Sequence, residues 1–508
     1  MDIYLKKIRL VNFKIFKDET IECNKEMNIF VGDNATGKSS ILQALDIVLT
    51  GSITRVMTIG LENLINVEVV SNWLETPRID NLPKMSIELF FEMPDNAKSS
   101  RYNGEKYMDS HDQSLYGIKL LCCPNPDYNE DITNLIQTHT ITTFPFEFYS
   151  ISFSTFSGVT YTGYLKPCKS LYIDNTIMNT TRTLKYVVDR TYHNSVDENV
   201  RTSKQYDFRQ HLSNFTLPQT AIEKNLTIVG DLESCLDIKE NGISLANQGE
   251  GKISICKTDS ALDRSIDNIS ILAIEEPENH LSHYSLRHLI SQINERAGDR
   301  QMFIVTHNSY ITSRLGLKNT FFVSSGHVNS LNQLSEDTSS FFMKAPNDNL
   351  LQFVLSKKVL LVEGAAEYIL MDKFIKILTG RSTSDNNIWI MALNNLSFRR
   401  YLEVGRMLGI KVAAVRDNDK NPQSWYPDLQ DDLRKVFSDS SAARYTFEIC
   451  LHQDNETVLK DVFSDYTPNQ ILDYMLQHKA EAAYQILKSG VNLVVPSYIK
   501  EAIEWLII

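Results

Sequence analysis

The stretch MNIFVGDNATGKSSILQALDIVL, residues 27–49, decides the fold of the first part of the chain. An apolar run typical of a buried strand comes first, and residues 38–49 carry the apolar spacing of an amphipathic helix. Between them, Gly32–Ser39 matches the pattern G-x-x-x-x-G-K-[ST]. In this strand–loop–helix context the pattern predicts a loop whose backbone N–H groups bind phosphate oxygens. The alternative, a glycine-rich turn with an exposed lysine, is the weaker interpretation because the strand and the helix are both in place.

The residue types of this loop suit a nucleoside triphosphate and its Mg²⁺ ion. Lys38 is expected to reach the β- and γ-phosphates, and Ser39 to place its hydroxyl on the Mg²⁺. Successive N–H groups at the helix start form a concave anion site. The residues of the loop that we expect to bind ATP are Gly32, Asn34, Gly37, Lys38 and Ser39.

Two later strands end in residues that suit the same site. In ISILAIEEPENHL, residues 269–281, Glu275 ends the apolar run and is expected to contribute to the Mg²⁺ site. Glu276 follows at the position where a carboxylate would orient the attacking water. In QMFIVTHNSYI, residues 301–311, His307 ends another apolar run and is expected to sense the γ-phosphate. The alternatives are a solvated acidic loop and a structural histidine.

The composition is that of an ordinary globular chain. Of its 508 residues 42% are hydrophobic and 22% charged, and this length predicts two or three domains. The net charge of −12 argues against a protein that coats nucleic acid, although a local basic groove is compatible with it. The start has no apolar leader, and no apolar run of about 18 residues follows, so no membrane contact is predicted. Seven cysteines without a C-x-x-C pair fit a reduced, cytoplasmic protein.

A second set of carboxylates follows two strands near the C-terminus. The apolar run KVLLV stops at Glu363, and Glu367 comes four residues later, so both are expected on one face of the strand–helix junction. The run KVAAV leads to Asp417 and Asp419, which the two-residue period of a strand would place on one side. Each pair alone also fits a helix cap or a turn. Four converging carboxylates would repel each other and take up protons unless divalent cations compensated them.

Strand and helix signals alternate in two parts of the chain and weaken between them. We therefore expect an α/β fold with two α/β units, the first of which is interrupted by an insertion rich in Tyr, Thr, Asn and Ser. The expected segments are residues 1–94 and 228–330 for the first unit, 95–227 for the insertion, 331–349 for a linker and 350–508 for the second unit.

Several of these motifs together resemble the ATPase half of the OLD (overcoming lysogenization defect) family, which is related to the SMC, RecF and ABC-type ATPases. They are the opening IRLVNFKIF, Asn34 in the phosphate loop, the run EEPENHL and the Thr306-His307 strand end. The resemblance implies an ABC-type P-loop ATPase head with an inserted dimerisation segment. It also implies that LANQGEGKIS, residues 245–254, is a signature loop that places Gly249 near a nucleotide, although it departs from the S-G-G-Q form.

The second set of carboxylates, E-G-x-x-E and D-x-D with a helix between them, resembles a TOPRIM domain, which has a Rossmann-like fold. The resemblance implies two Mg²⁺ or Mn²⁺ ions and adds a hydroxyl-x-glutamate pair, here Thr446 and Glu448, and a helical lysine, here Lys479. Glu456 stays open as a rival to Glu448. The implied metal ligands of this domain are Glu363, Glu367, Asp417, Asp419, Thr446 and Glu448.

The resemblance implies an ATP-binding, metal-dependent endonuclease that cuts DNA in bacterial defence against phage. It implies a dimer or tetramer, with a helicase-like protein or a reverse transcriptase and its noncoding nucleic acid as further partners. Two alternatives stay open: a ribonuclease that acts on RNA such as tRNA, and a non-cleaving SMC-like scaffold. Basic residues that could follow a phosphate backbone are Lys357, Lys358, Arg399, Arg400, Arg416 and Lys420.

Overall fold

The computed structural model describes most of the chain and divides it into two compact units. Residues 1–311 with 319–328 form the first, here called the head, and residues 312–318 with 329–508 form the C-terminal unit. The described residues are 3–508 without 95, 97, 105–115, 139–140, 142, 177–187, 189–191, 193–195, 214–231, 241, 245–248, 263–268, 297–299, 345–348, 394–396 and 424.

The head contains an antiparallel sheet and a largely parallel one. The antiparallel sheet has the order β2-β1-β4-β5-β6, and its strands are β1 Tyr4–Phe13, β2 Phe16–Glu22, β4 Met85–Glu92, β5 Tyr116–Pro124 and β6 Tyr149–Thr155. The second sheet has the order β13-β12-β3-β11-β10-β7, with β3 Met27–Val31, β7 Lys169–Asp174, β10 Ile269–Glu275, β11 Gln301–Val305, β12 Thr320–Ser324 and β13 His327–Ser330. Neighbouring strands from β12 to β7 run parallel. A short hairpin pairs β8 Lys239–Glu240 with β9 Ile243–Ser244.

One helix joins the two sheets of the head into a single core. The helices of the head are α1 Lys38–Thr50, α2 Ile53–Ile59, α3 Val67–Glu75, α4 Asn129–Gln137, α5 Glu198–Ser213, α6 Glu250–Leu262 and α7 His283–Arg296, and α8 Ser309–Leu315 begins in the head and ends in the C-terminal unit. Helix α1 contacts β4 and β5 of one sheet and β7, β10 and β11 of the other. Ile41, Leu45 and Val48 are among its buried residues, whereas Gln43 and Asp46 are only partly buried. The helix thus has a wide apolar face that packs against both sheets.

The first part of the predicted insertion belongs to the head. Strands β5, β6 and β7 lie within residues 95–227, and β7 pairs in parallel with β10 in the second sheet. The expected boundary at residue 94 is therefore wrong for these strands. The sequence KSLYID of β7 does not predict a strand, because it has no continuous apolar run. β7 is an edge strand, and only Ile173 in it is fully buried.

The C-terminal unit is a parallel sheet covered by helices. Its strands, β14 Lys358–Val362, β15 Ile388–Ala392, β16 Lys411–Val415 and β17 Arg434–Phe437, have the order β15-β14-β16-β17. Its helices are α9 Glu336–Lys344, α10 Asn349–Leu355, α11 Ala365–Thr379, α12 Phe398–Leu408, α13 Phe447–Asp454, α14 Glu456–Val462, α15 Pro468–Gln477, α16 Lys479–Ser489 and α17 Ser497–Ile507. All neighbouring strands are parallel. The strand order reverses between β14 and β16, and ligands of such sheets bind outside the carboxyl ends at that point.

The predicted linker is not an open connection. Residues 336–344 form α9, and the Thr338 hydroxyl donates to the carboxylate of Glu403 on α12 at 2.5 Å. The rings of Phe342 and Tyr401 pack edge to face with centroids 5.0 Å apart. Most residues of this segment are polar, but α9 has one apolar face, which packs against the neighbouring α12.

Among the residues that the structure describes, none of the helices combines the length and the apolar composition needed to cross a bilayer.

Gln301 links the two sheets of the head. Its fully buried side chain accepts from Leu5 N at 2.7 Å and donates to the Leu5 carbonyl at 2.7 Å and the Asn24 carbonyl at 2.8 Å. Leu5 lies on β1 of the antiparallel sheet, whereas Gln301 begins β11 of the parallel one. The amide thus satisfies backbone groups that water cannot reach.

We predict that Gln301→Leu lowers the free energy of unfolding of the head by about 2–4 kcal/mol, because it leaves buried backbone groups without partners. Urea denaturation measures the change. Gln137→Leu, at the exposed end of α4, is the matched control and should stay near wild type. Equal stability of the two variants would contradict this role of Gln301.

Candidate nucleotide and metal sites

The phosphate loop needs glycine at both ends for two different reasons. A Cβ on Gly32 would lie 2.2 Å from the carbonyl oxygen of Val323, so a side chain there would collide with β12. Gly37 has a φ of +105°, a conformation that L side chains rarely adopt. It caps α1, whose first N–H groups therefore face the loop. The fold predicted from residues 27–49 is the one observed.

Lys38 lies inside the loop. Only 6% of the residue is exposed, and its ammonium donates to the carbonyl oxygens of Gly32 at 2.9 Å and Asp33 at 2.6 Å. Burial lowers the pKa of Lys38, and the carboxylates of Glu276, Asp33, Glu275 and Glu278 oppose that shift. A phosphate group would offer this cation stronger acceptors than carbonyl oxygens.

Glu275 lies where the sequence predicted a contribution to the Mg²⁺ site. It ends β10, is buried, and accepts a hydrogen bond from the hydroxyl of Tyr172, and the Ser39 hydroxyl lies near enough to act on its pKa. Burial raises the pKa of Glu275, while these two hydroxyls lower it. A serine hydroxyl beside a carboxylate is a donor set that suits Mg²⁺. Tyr172 was not predicted, because its strand was assigned to the insertion.

Three residues after β10 and β11 form a second acidic group, here called the Glu276–Glu278–His307 cluster. Glu276 directly contacts Nδ1 of His307. Oε1 of Glu278 accepts from the Thr306 hydroxyl and, at 3.1 Å, from His307 N. Burial, followed by the charge of Glu276, raises the pKa of Glu278 to about 7. Glu278 stands in the motif EEPENHL, but the pattern there does not predict a role for it.

The remaining residues of the predicted nucleotide site lie on the surface or outside the described residues. Asn34 is exposed in the phosphate loop, and Gly249 is exposed just before α6. Residues 245–248 of the predicted signature loop lie outside the described residues. The contribution of Asn34 and Gly249 to nucleotide binding stays a prediction.

The C-terminal unit gathers its carboxylates at the carboxyl edge of the sheet. Glu363 follows β14, and its Oε2 accepts from the backbone N–H of Asp417, after β16, at 3.0 Å. Oδ1 of Asp417 in turn accepts from Phe447 N at 2.9 Å. Because β14 and β16 are parallel neighbours, their carboxyl ends meet where the strand order reverses. We call Glu363, Glu367, Asp417 and Glu448 the carboxylate cluster.

Helices contribute the other members of the carboxylate cluster and a lysine. Glu367, in the first turn of α11, and Glu448, in the first turn of α13, are both buried. Nζ of Lys479, the first residue of α16, is 3.1 Å from Oε2 of Glu448. The lysine predicted from the sequence thus lies beside the predicted glutamate.

Burial and neighbouring charges shift the pKa values of residues in the carboxylate cluster. Burial, and then the charges of Glu363, Glu367 and Glu448, raise the pKa of Asp417 to about 8. Burial likewise raises the pKa of Glu367 to about 7. Burial alone would lower the pKa of Lys479, but the attraction of Glu448, Asp417 and Glu367 outweighs it. The positive charge of one lysine does not compensate the negative charges of four carboxylates. Their oxygen atoms are ligands that fit divalent cations such as Mg²⁺ or Mn²⁺.

Asp419 does not lie where the two-residue period placed it. Strand β16 ends at Val415, and Asp419 has a φ of +52°. Its exposed carboxylate pairs with Arg416 at 3.0 Å. The prediction that both aspartates lie on one side is wrong, because the alternation of a strand does not continue into the following turn. A metal-binding role for Asp419 stays a prediction.

Thr446 and Glu456 have other local roles. Thr446 is the N-cap of α13, and its hydroxyl accepts from Ile449 N. Glu456 begins α14 and pairs with Lys460 at 3.1 Å on the surface. The structure thus places Glu448, and not Glu456, in the carboxylate cluster.

Asn418 is a further residue of this site that the sequence did not indicate. It is buried, and its Nδ2 donates to the carbonyls of Asp439 at 2.8 Å, Ser441 at 2.9 Å and Arg444 at 3.3 Å. These bonds fasten the loop that carries Asp417 to the loop after β17. The Asn418 side chain makes these bonds, whereas the side chains of Asp417 and Asp419 on either side of it have other partners.

Most of the predicted basic residues already have partners in the C-terminal unit. Arg399 pairs with Asp428 at 2.6 Å and Arg400 with Asp337 at 2.7 Å. The guanidinium of Arg416, besides binding Asp419, stacks 3.5 Å from the ring centre of Trp425. A phosphate backbone would have to compete with these carboxylates for the arginines.

Comparisons with known proteins agree with the division of the chain into a head and a C-terminal unit. A family model described as "AAA domain" matches residues 7–295, more than half of the chain. A model described as "Overcoming lysogenization defect protein-like, TOPRIM domain" matches residues 354–419, which include β14, β16, Glu363 and Asp417.

Two relatives resemble the chain over short stretches. The DNA replication and repair protein RecF of Clostridium kluyveri is 35% identical over 92 residues, 18% of this chain and 25% of RecF. RecF of Acetivibrio thermocellus is 43% identical over 49 residues, 10% of this chain and 13% of RecF. The matched stretches thus span a quarter or less of these relatives.

Among solved structures, an Smc head bound to the C-terminal winged-helix domain of ScpA is 14% identical, with a TM-score of 0.34. The alignment covers 65% of this chain and 99% of that one. The recombination mediator RecF with ATP is 14% identical, with a TM-score of 0.35 and coverage of 65% and 99%.

The predicted fold class is confirmed by the two sheets of the head, by the parallel sheet of the C-terminal unit and by the two matched models. The chain belongs to the AAA-domain family and has the architecture of the OLD family, an ABC-type ATPase head followed by an OLD-like TOPRIM domain.

Proposed function

We propose that this protein is an ATP-binding, metal-dependent endonuclease of the OLD type that cleaves DNA. The observation that carries the proposal is the convergence of Glu363, Asp417 and Glu448 with Lys479 at the reversal of strand order. The parallel sheet brings Glu363 and Asp417 together, and two helices add Glu448 and Lys479, so four separate parts of the sequence meet here. A purely structural domain has no use for four crowded carboxylates whose repulsion it must offset.

The chemistry that two Mg²⁺ or Mn²⁺ ions supply in such a site is activation of water and stabilisation of the attacking and leaving oxygens of a phosphodiester. Glu363, Glu367, Asp417 and Glu448 would hold these ions. Lys479 would place its positive charge against the phosphate, where negative charge increases in the transition state. The bond from Asp417 N to Glu363 holds the two strand ends side by side.

The head would control access to this chemistry. Lys38 and the N–H groups at the start of α1 would bind the phosphates of ATP, and Ser39 with Glu275 would hold Mg²⁺. Glu276 would orient water, and His307, its contact partner, would sense the γ-phosphate. A bound nucleotide would stabilise one conformation of the chain relative to another, and nucleotide binding would thereby control the nuclease activity.

The biological setting that we propose is defence against phage. The protein would act as a dimer or tetramer, with a helicase-like protein or a reverse transcriptase and its noncoding nucleic acid as partners. Native mass measurement of protein purified from its own operon would show both the number of copies and any bound nucleic acid.

Cleavage of defined nucleic acids tests the proposal. Purified protein with Mn²⁺ is expected to cut plasmid DNA, and Glu448→Gln is expected to lower the rate by on the order of 10²-fold. Glu456→Gln, the matched control on the surface of the same unit, should cut like wild type. Cleavage of total tRNA alone would replace DNA with RNA as the substrate. No cleavage of either, with phage defence intact in an Asp417→Asn strain, would leave the scaffold interpretation standing.

The crowded carboxylates also predict how stability depends on pH. Because the pKa values of Asp417, about 8, and Glu367, about 7, lie above those of an unfolded chain, the folded state holds protons that the unfolded state has released. Without divalent metal, the free energy of unfolding should therefore fall as pH rises from about 5 to 8, by up to about 1.4 kcal/mol per pH unit for each group.

Urea denaturation in the presence of a chelator, at several pH values, measures this slope. Asp417→Asn removes one of the two groups and should flatten the slope, whereas Asp465→Asn, at an exposed position, should not. A steeper fall in Asp417→Asn than in wild type would show that the proton is held elsewhere.

A further inference from the structure

The Glu276–Glu278–His307 cluster brings three metal-ligating side chains together outside the Ser39–Glu275 pair. Each residue offers one ligand atom, and these atoms all lie within 4.8 Å of one another. Glu276 and Glu278 follow β10, and His307 follows β11. These strands are parallel neighbours, with Glu275 opposite Val305, so their register fixes the spacing of the three side chains.

The Glu278 carboxylate is an independent observation that points to a ligand. Only 8% of the residue is exposed, and its Oε1 accepts from the Thr306 hydroxyl and from His307 N. Its Oε2 is buried and has no hydrogen-bond partner in the part of the chain that the structure describes. A buried carboxylate oxygen without a partner costs free energy that a bound cation would recover. Lys38 does not supply this partner, since its hydrogen bonds go to the carbonyls of Gly32 and Asp33.

The donor set indicates which cation fits. One imidazole nitrogen with two carboxylate oxygens suits first-row transition metals such as Zn²⁺ and Mn²⁺, whereas Mg²⁺ prefers oxygen alone. Nδ1 of His307 is 3.5 Å from Oε1 of Glu278. Two ligands of a tetrahedral Zn²⁺ lie about 3.3 Å apart, so the His307 ring and the Glu278 carboxylate already lie about one ligand spacing apart.

His307 and Glu276 would have to separate to admit an ion, because they contact each other directly. The His307 side chain is 57% exposed, which leaves it room to move and leaves water free to complete the coordination. The buried Glu278 would stay in place and act as the fixed ligand.

We propose that the Glu276–Glu278–His307 cluster binds one Zn²⁺ or Mn²⁺ ion in the nucleotide-free head. This site is separate from the Mg²⁺ site at Ser39 and Glu275 and from the carboxylate cluster of the TOPRIM domain. A bound ion would occupy both Glu276 and His307. The head could then not use either residue on a nucleotide until the ion left.

Zn²⁺ titration of the full-length, nucleotide-free protein by calorimetry, in excess Mg²⁺, tests the proposal. Wild type should bind one more Zn²⁺ per chain than His307→Gln or Glu278→Gln, or bind that ion at least about tenfold more tightly. His307 is largely exposed, so its variant should fold even if Glu278→Gln does not. Replacing Zn²⁺ by Co²⁺ should give wild type a visible absorption band that both variants lack.

His280→Gln is the matched control, because His280 lies two residues beyond Glu278 and pairs with Glu250 at 2.8 Å outside the cluster. It should bind Zn²⁺ like wild type. Equal Zn²⁺ binding by wild type and His307→Gln would overturn the proposal, as would complete displacement of the ion by Mg²⁺. Nuclease activity is not measured, so the outcome is independent of the proposed cleavage of DNA.

Discussion

Parallel pairing of strands is the constraint on which both candidate sites depend. Neighbouring parallel strands end at the same edge of a sheet, so residues that follow them meet even when they are far apart in the sequence. In the C-terminal unit this places Asp417 N 3.0 Å from the Glu363 carboxylate. In the head it places Glu276 against His307 and Glu275 beside the phosphate loop. The apolar strands determine where the acidic residues lie, and the acidic residues determine which ligands each candidate site could bind.

The same constraint explains why both sites are electrostatically unfavourable without ligands. Backbone pairing holds carboxylates together that would separate in solution, and burial keeps water from screening them. Burial is the largest cause of the raised pKa values of Asp417, Glu367 and Glu278, and neighbouring carboxylates raise them further. The stability of the sheets offsets the repulsion, and cations or phosphates would relieve it when bound.

Features that depend on local sequence could be predicted, and features that depend on tertiary contacts could not. The phosphate loop, the strand ends at Glu275 and Glu363 and the fold class follow from patterns within a few residues. Tyr172 was missed because an edge strand lacks an apolar run, and Asn418 because its partners lie more than twenty residues away. Asp419 was misplaced because a strand period was continued into a turn. The helix within residues 331–349 was missed because its apolar face is narrow.

The account depends most directly on divalent cations within the carboxylate cluster. Anomalous diffraction from crystals of the full-length protein soaked in Mn²⁺ would locate these ions. The account predicts Mn²⁺ peaks within coordination distance of both Glu363 and Asp417, at about 2.0–2.2 Å from carboxylate oxygens. Crystals that bind Mn²⁺ elsewhere but show no peak at Glu363 and Asp417, with Lys479 still paired to Glu448, would contradict it.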